Sequence, residues 1–232
     1  GTFVGLGPWL ITHWVVPGSS PPLRMVLVGV HRGGRAARRC PSHRPSTRSS
    51  PASIDLGQAV LFDSIRERLA GGGIFLVSDI IGRNGHQRWP EARRLLEPFW
   101  AELPDTHKYH VQLKRLEREF LDWDCSKEGF EGIRAQDVLP ELLKRFHASF
   151  FLAWGNIIDV FIDRGFGHHF RAQGEWELRF IDRVQEADAA AIAAGTISPT
   201  HLLACFQVAP CECVHLPGMR PRDALRIGPE EK

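Results

Sequence analysis

The apolar positions of this chain fall into two textures that meet near residue 54, and only the second keeps step with regular elements. Asp55 to Ala70 places Leu56, Val60, Leu61, Ile65 and Leu69 at helical spacing and ends at Gly71, where a C-terminal glycine cap belongs. An unbroken apolar run, Ile74 to Val77, predicts a buried strand over 74–81, with Ser78 and Asp79 near its carboxyl end. Pro90 suits a first helical position, and Leu95, Leu96, Phe99 and Trp100 share one face of a helix over 92–103. Pro98 inside that stretch predicts a kink or a split. His107 to Leu121 repeats the helical spacing with Tyr109, Leu113, Leu116 and Phe120. Asp137 to Phe146 reads as an amphipathic helix that tolerates Pro140 only in its first turn. Ser149 to Trp154 predicts a second buried strand closed by Gly155-Asn156, and Ile157 to Asp163 a short helix. Glu175 to Ala194 holds Trp176, Phe180, Ile181, Val184, Ala187 and Ala191 in register before Gly195. Ser198-Pro199 then turns the chain into a last strand, Thr200 to Phe206. Helix, strand, helices, strand, helices, strand is the order of the second half of an open α/β sheet.

Composition sharpens the boundary. The first 53 residues hold seven of the sixteen prolines, and no acidic residue precedes Asp55. Seven arginines occur there, leaving 22 basic against 27 acidic residues in the remainder, a balance of −5. Arg24 to Val30 (RMVLVGV) is the strand candidate of this part, whereas His31 to Ser53 has almost nothing to bury and predicts a loose or disordered stretch. Residues 1–53 therefore read as an irregular, basic Pro/Arg/Ser-rich segment, of the kind an out-of-frame translation of a GC-rich gene yields. Residues 54–206 read as one domain and 207–232 as an irregular tail. A basic arm without interleaved aromatics binds nucleic acid weakly and without specificity at most. The apolar start, GTFVGLGPWLITHWVVPG, is broken by Gly, Pro and His and lacks a basic leader, so a cytoplasmic protein with no membrane partner is expected. Five cysteines, Cys40, Cys125, Cys205, Cys211 and Cys213, are odd in number and unevenly spread, which argues against a disulfide framework.

Ligands of open α/β sheets bind beyond the carboxyl ends of the strands. There Asp79, Asn84 and His86 gather a carboxylate, an amide and an imidazole around the Gly82–Gly85 turn. Asp122 and Asp124 flank Trp123, and residues two apart need not converge. Arg164 in FIDRGFGHHF has the planar guanidinium that grips anions, while the adjacent His168 and His169 point apart. Cys211-Glu212-Cys213-Val214-His215 has zinc-ligand types without the usual spacing, so no metal site is expected. Cys125 sits among Asp122 and Asp124, which disfavour a thiolate.

Three strings carry a resemblance: LAGGGIFLVSDIIGRNGHQRWPEA (69–92), DWDCSKEGFEGIRAQDVLP (122–140) and FFLAWGNIIDVFIDRGFGHHF (150–170), followed by ISPTHLLACF (197–206). By them, residues 54 to about 206, some two thirds of the chain, resemble the carboxyl-terminal half of bacterial S-adenosylmethionine-dependent methyltransferases with a Rossmann-like fold. The resemblance implies that 74–81 is the family's fifth strand, 149–154 its sixth, 200–206 its antiparallel seventh and RMVLVGV its fourth. The fold class expected is α/β: an incomplete Rossmann-like methyltransferase sheet of about three or four strands, flanked by helices, with irregular termini. Its unpaired apolar edge would favour self-association. The implied function is methyl transfer from S-adenosylmethionine to an oxygen or nitrogen of a small-molecule acceptor. Asp79, Asn84 and His86 would then lie at the reacting centre, His86 as base, with Trp89, Arg164 and His168 on the substrate. The family's glycine-rich loop and ribose-binding acid have no counterpart, because Pro8 follows Gly5-Leu6-Gly7 at once and no acid precedes Asp55. No cofactor-binding residue is assigned, and the chain alone is expected not to bind the cofactor usefully. The alternative is a non-catalytic remnant that acts as a protein-interaction module.

Overall fold

The computed structural model describes residues 3–6, 9–15, 24–30, 51–69, 72–127 and 131–226, with side chains from Gly57 onward. It is a mixed α/β sheet flanked by helices. Strands β1 (Phe3–Leu6), β2 (Trp9–Val15) and β3 (Arg24–Val30) precede helix α1 (Pro51–Leu69) and strand β4 (Ile74–Ile80). Helix α2 (Pro90–Glu102), the short strands β5 (Tyr109–His110) and β6 (Arg115–Leu116), and helix α3 (Ala135–Arg145) follow. Strand β7 (His147–Trp154), helices α4 (Ile158–Ile162) and α5 (Glu175–Ala193), and strands β8 (His201–Gln207) and β9 (Val214–His215) complete the order.

The main sheet runs β1-β2-β3-β4-β8-β7-β9. The three or four strands expected from the sequence are its long central ones, β3, β4, β8 and β7. β3 and β4 pair in parallel, Met25 to Val28 against Ile74 to Val77. Thr200 N donates to Gly155 O at 2.7 Å and Ser149 Oγ to Cys205 O at 3.2 Å, so partners descend along one strand as they rise along the other. β8 is therefore antiparallel to β7. It is antiparallel to β4 by the same argument, from Ile81 N on Thr200 O at 2.7 Å and Phe75 against Phe206.

Cα proximity divides the chain into two units. The first comprises Gly1–Asp79, Glu141–Phe150 and Ala204–Val214, and the second the remainder. In the first, the Phe75 ring sits among Phe62, Phe146 and Phe206 at centroid distances of 5.5 to 6.4 Å. Arg145 joins Asp63 at 2.6 Å and Glu141 beside it. In the second, Ala92, Leu96 and Trp100 of α2 bury against Ile158 and Phe161 of α4 and Phe180 and Val184 of α5. α5 ends in a Schellman motif: Gly195 N returns to Ile192 O and Thr196 N to Ala191 O, with Gly195 at φ 68.

Several expectations are corrected. The first 53 residues are not irregular throughout, since β1 and β2 form an antiparallel hairpin and β2 pairs with β3 from Trp9↔Val30 to Val15↔Arg24. The edge of β3 left for missing strands is thus taken by the chain itself. α1 begins at Pro51, ahead of the expected Asp55. The Gly71 cap and residues 31–50 lie outside the described residues, as does the tail beyond 226; the amides of Gly72 and Gly73 return to Leu69 O. Pro98 does not split α2, which runs unbroken from Pro90 to Glu102; the carbonyl it deprives of a donor belongs to Arg94, an exposed residue. Pro140 likewise lies beyond the first turn of α3 without ending it. Most sharply, 107–121 is no helix. A 3₁₀ turn, Asp105–His107, leads into the β5–β6 hairpin, with Tyr109 opposite Leu116 and His110 opposite Arg115. Tyr109, Leu113 and Leu116, whose spacing suggested a buried helical face, are exposed, while Glu117 is buried on Arg115 at 2.7 Å. Of the four spaced residues Phe120 alone packs inward, 5.4 Å from the Trp100 ring.

Candidate functional site

The turn after β4 is built mainly to hold itself. Asn84–His86 forms a 3₁₀ turn around Gly85 at φ 69. Gly85 N donates to Gly132 O at 2.7 Å, and Cys125 N to Gly85 O at 3.0 Å. Asn84 exchanges long bonds with Gln136: its Oδ1 accepts from Gln136 N and its N donates to Gln136 Oε1, both at 3.4 Å. His86, at φ 57, packs on Gly132, where a Cβ would come within 3.0 Å of its Cε1 and Nδ1. Asp79 is the half-buried penultimate residue of β4 and belongs to the first unit, whereas Asn84 and His86 belong to the second.

The expected substrate contacts are placed otherwise. Trp89 is only 7% exposed, with the Arg226 guanidinium 3.7 Å over its ring and Arg83 at 5.4 Å. Arg226 is held there by Glu91 at 2.8 Å. Arg164 lies on the surface, 4.0 Å from an equally exposed Glu131, and His168 is exposed. Its neighbour His169 contacts Tyr109 O at 2.7 Å instead. Asp122 and Asp124 serve different amides: Asp122 Oδ1 accepts from Arg88 N at 2.8 Å and Asp124 Oδ1 from Ser126 N at 3.0 Å. Burial raises the Asp122 carboxyl, whereas the Ser126 hydroxyl lowers that of Asp124. Burial, with Glu131 and Asp124 nearby, pushes the Cys125 thiol up. Cys125, Cys205, Cys211 and Cys213 are free thiols, and Cys40 lies outside the described residues. Among the described residues no three His, Cys, Asp or Glu side chains converge as metal ligands.

A second cluster, unmarked in the sequence reading, forms where β7 ends and β8 begins. Two hydrogen-bond donors and a cation meet one oxygen, Asp159 Oδ2: Thr200 Oγ1 at 2.7 Å and His201 Nε2 at 2.9 Å bond to it, and Arg88 Nη2 pairs with it at 3.6 Å. Thr200 has one hydroxyl proton, and its 3.1 Å contact to Gly155 O is the longer of two. The charged acceptor takes the proton, while Thr200 N satisfies Gly155 O. An ionised carboxylate only accepts, so Nε2 of His201 carries hydrogen and neutral His201 presents Nδ1 as a lone-pair acceptor.

The backbone makes this meeting possible. Gly155, at φ 65, turns the chain out of β7, and a Cβ there would stand 2.8 Å from Asp159 Oδ1. Asn156, fully buried, donates Nδ2 to Ser198 O at 2.7 Å and so ties this turn to the entry of β8. Trp154, 42% exposed, stacks on His201 with centroids 5.6 Å apart and planes 19° apart. Arg88 is nearly buried: Nη1 donates to His86 O at 3.0 Å, and its Nε is enclosed without a hydrogen-bond partner. The cluster is thus an oriented imidazole with a carboxylate behind it and a cation balancing the carboxylate. Its sequence signal was a lone polar residue in each of two apolar runs, Asp159 in IIDVFI and His201 in HLLACF.

The cofactor of the resembled family is not accommodated by the candidate loop. Gly5 and Leu6 lie within β1, paired with Leu10 and Trp9 of the antiparallel β2, and Gly7 lies outside the described residues. Strands β1 to β3 carry no carboxylate for a ribose. No protein-family model, no curated protein and no solved structure matches this chain.

Proposed function

We propose that Arg24–Val30 and residues 54–206 form the acceptor-side half of a methyltransferase-like layer, with the Asp159–His201 pair as its proton acceptor. The reaction class is methyl transfer from S-adenosylmethionine to an oxygen or nitrogen of a small molecule, with the cofactor's contacts supplied by a half that this chain lacks. The observation that carries the reading is the geometry at Asp159 Oδ2, which leaves His201 Nδ1 as a base beyond the carboxyl end of a strand parallel to its neighbour. The antiparallel course of β8 and the parallel β3–β4 pair agree with the seventh, fourth and fifth strands that the resemblance implies. Asp159 fixes the imidazole tautomer, Arg88 balances the charge of Asp159 at 3.6 Å, and Trp154 limits how the imidazole tilts. Nδ1 would take the proton that an acceptor hydroxyl or amine loses when the methyl group leaves the sulfonium sulfur, left behind as a thioether, for that oxygen or nitrogen.

Two measurements test this reading. Diethyl pyrocarbonate attacks neutral imidazole nitrogen, so mass spectrometry should show His201 modified, with the rate changed in Asp159→Asn. A His201 that stays unmodified in the folded protein contradicts the reading. Isothermal titration with S-adenosylmethionine should give no heat, and a low-micromolar dissociation constant would overturn the exclusion of Gly5-Leu6-Gly7.

One observation favours the second reading, a protein-interaction module. The β5–β6 hairpin turns Tyr109, Val111, Leu113 and Leu116 to solvent, with Leu121 and Trp123 beside them in sequence. Sedimentation of the wild type beside Leu113→Ser and Leu116→Ser separates self-association through this face from a monomer that is indifferent to it.

A further inference from the structure

We propose that Asp188 is a positioning residue for the Asp159–His201 pair: its carboxylate holds the Gly155–Ile158 turn that carries Asp159, and proton uptake at Asp188 relaxes the pair. The proposal rests on the reading of Asp159 and His201 given above. Asp188 lies on α5 and is 1% exposed. Its Oδ1 accepts from Ile157 N at 2.7 Å and its Oδ2 from Asn156 N at 3.2 Å. Both amides belong to the turn between Trp154, which stacks on His201, and Asp159, which bonds it. A buried amide without a partner is costly, so the carboxylate sets where this turn sits.

The charges around Asp188 give the device its direction. Across from it, α4 presents Asp159, itself bonded to Arg88 and His201, while Val184 and Ile192 lie one turn away on α5. Burial is the larger cause of its raised pKa, with Asp159's negative charge adding to it and the amides of Ile157 and Asn156 opposing it, and the outcome is about 6. Below that pH a neutral acid replaces a carboxylate as acceptor for two amides. The proton it gains is a donor in a turn where Asn156 Oδ1 is buried with no hydrogen-bond partner. A new bond of that kind competes with the existing arrangement of Asn156 and shifts the segment leading to Asp159.

The test uses the full chain and nuclear magnetic resonance. In the wild type the amide proton shifts of Asn156 and Ile157 should move with one midpoint near 6, and exchange of the His201 Nε2 proton should quicken over the same range. Protonation of His201 itself would strengthen its bond to Asp159 and slow that exchange, so the sign separates the two events. In Asp188→Asn the amide step should vanish, and at neutral pH the Nε2 proton should exchange about tenfold faster or more, the effect of one charge-assisted bond lost upstream. Amide shifts that stay flat through pH 6, or exchange equal in Asp188→Asn and wild type, overturn the proposal. Asp159→Asn is the control on the underlying reading: exchange unaltered there means that Asp159 does not hold His201 at all, whatever Asp188 does. If Asp188→Asn fails to fold, the wild-type pH series decides alone.

Discussion

Two turns at the carboxyl ends of strands, 82–89 and 155–159, are both rich in polar residues, and their difference shows what a site needs. In the first, Asn84 is bonded to Gln136, the Arg88 amide to Asp122 and the Gly85 backbone to Gly132 and Cys125. The polar capacity visible there goes into shaping the turn. In the second, Thr200 and Asp188 satisfy the backbone and Ser198 O takes the Asn156 side-chain amide, which leaves a carboxylate and an imidazole to act on each other and on a ligand. The first turn contributes Arg88 to the second cluster, so the segment that stood out in the sequence matters through a residue not singled out in it.

The comparison breaks most visibly at Asp159. Replacing it with Ala strands the Arg88 guanidinium, the Thr200 hydroxyl and the His201 Nε2 proton together. Chemical denaturation should show a loss of about 3–5 kcal/mol, the range for breaking a buried pair by removing one partner. A loss below about 1 kcal/mol would mean that the cluster is solvated like an ordinary surface pair.

A pH series sharpens it next. The folded Asp188 carboxyl lies at about 6 against an ordinary 3.8, so between those values the folded chain binds more protons than the unfolded chain. Stability should therefore fall as pH rises from 3.8 to 6, by about 3 kcal/mol from this group, and then level off. Asp188→Asn should flatten that part of the curve. The opposite slope in the wild type, with no change in the variant, contradicts the burial argument.

Gly155→Ala is the next smaller break. The residue must hold φ 65 with a Cβ 2.8 Å from Asp159 Oδ1, and about 2 kcal/mol of destabilisation is expected. The smallest effect belongs to the surface candidates: Arg164→Ala and His168→Ala should each change stability by less than about 0.5 kcal/mol and leave the His201 resonances in place. A large effect from either would return the 161–170 loop to the site.

Which features were legible follows from the same physics. The buried strands 74–80 and 147–154 and helix α5 announced themselves, because burial on a regular element imposes a period. The hairpin at 109–116 misled for the converse reason: Tyr109, Leu113 and Leu116 keep a helical spacing but face water, and spacing alone does not say on which side the core lies. β1 and β2 give no clear sequence signal, because Gly5 and His13 interrupt their apolar residues and Pro8 falls between them. In the site, Asp79, Asn84 and His86 are neighbours in sequence, whereas the meeting at Asp159 Oδ2 joins residues 88, 159, 200 and 201. Local pattern does not report a junction made by an antiparallel strand that returns forty residues later.

The central claim is that Asp159 fixes His201 as a base through Nε2. The most direct measurement is the pair of imidazole ¹⁵N shifts of His201 in its neutral form. The account predicts a protonated Nε2 and a bare Nδ1, with the preference lost in Asp159→Asn. A proton found on Nδ1, or a tautomer mixture that Asp159→Asn leaves unchanged, would contradict it.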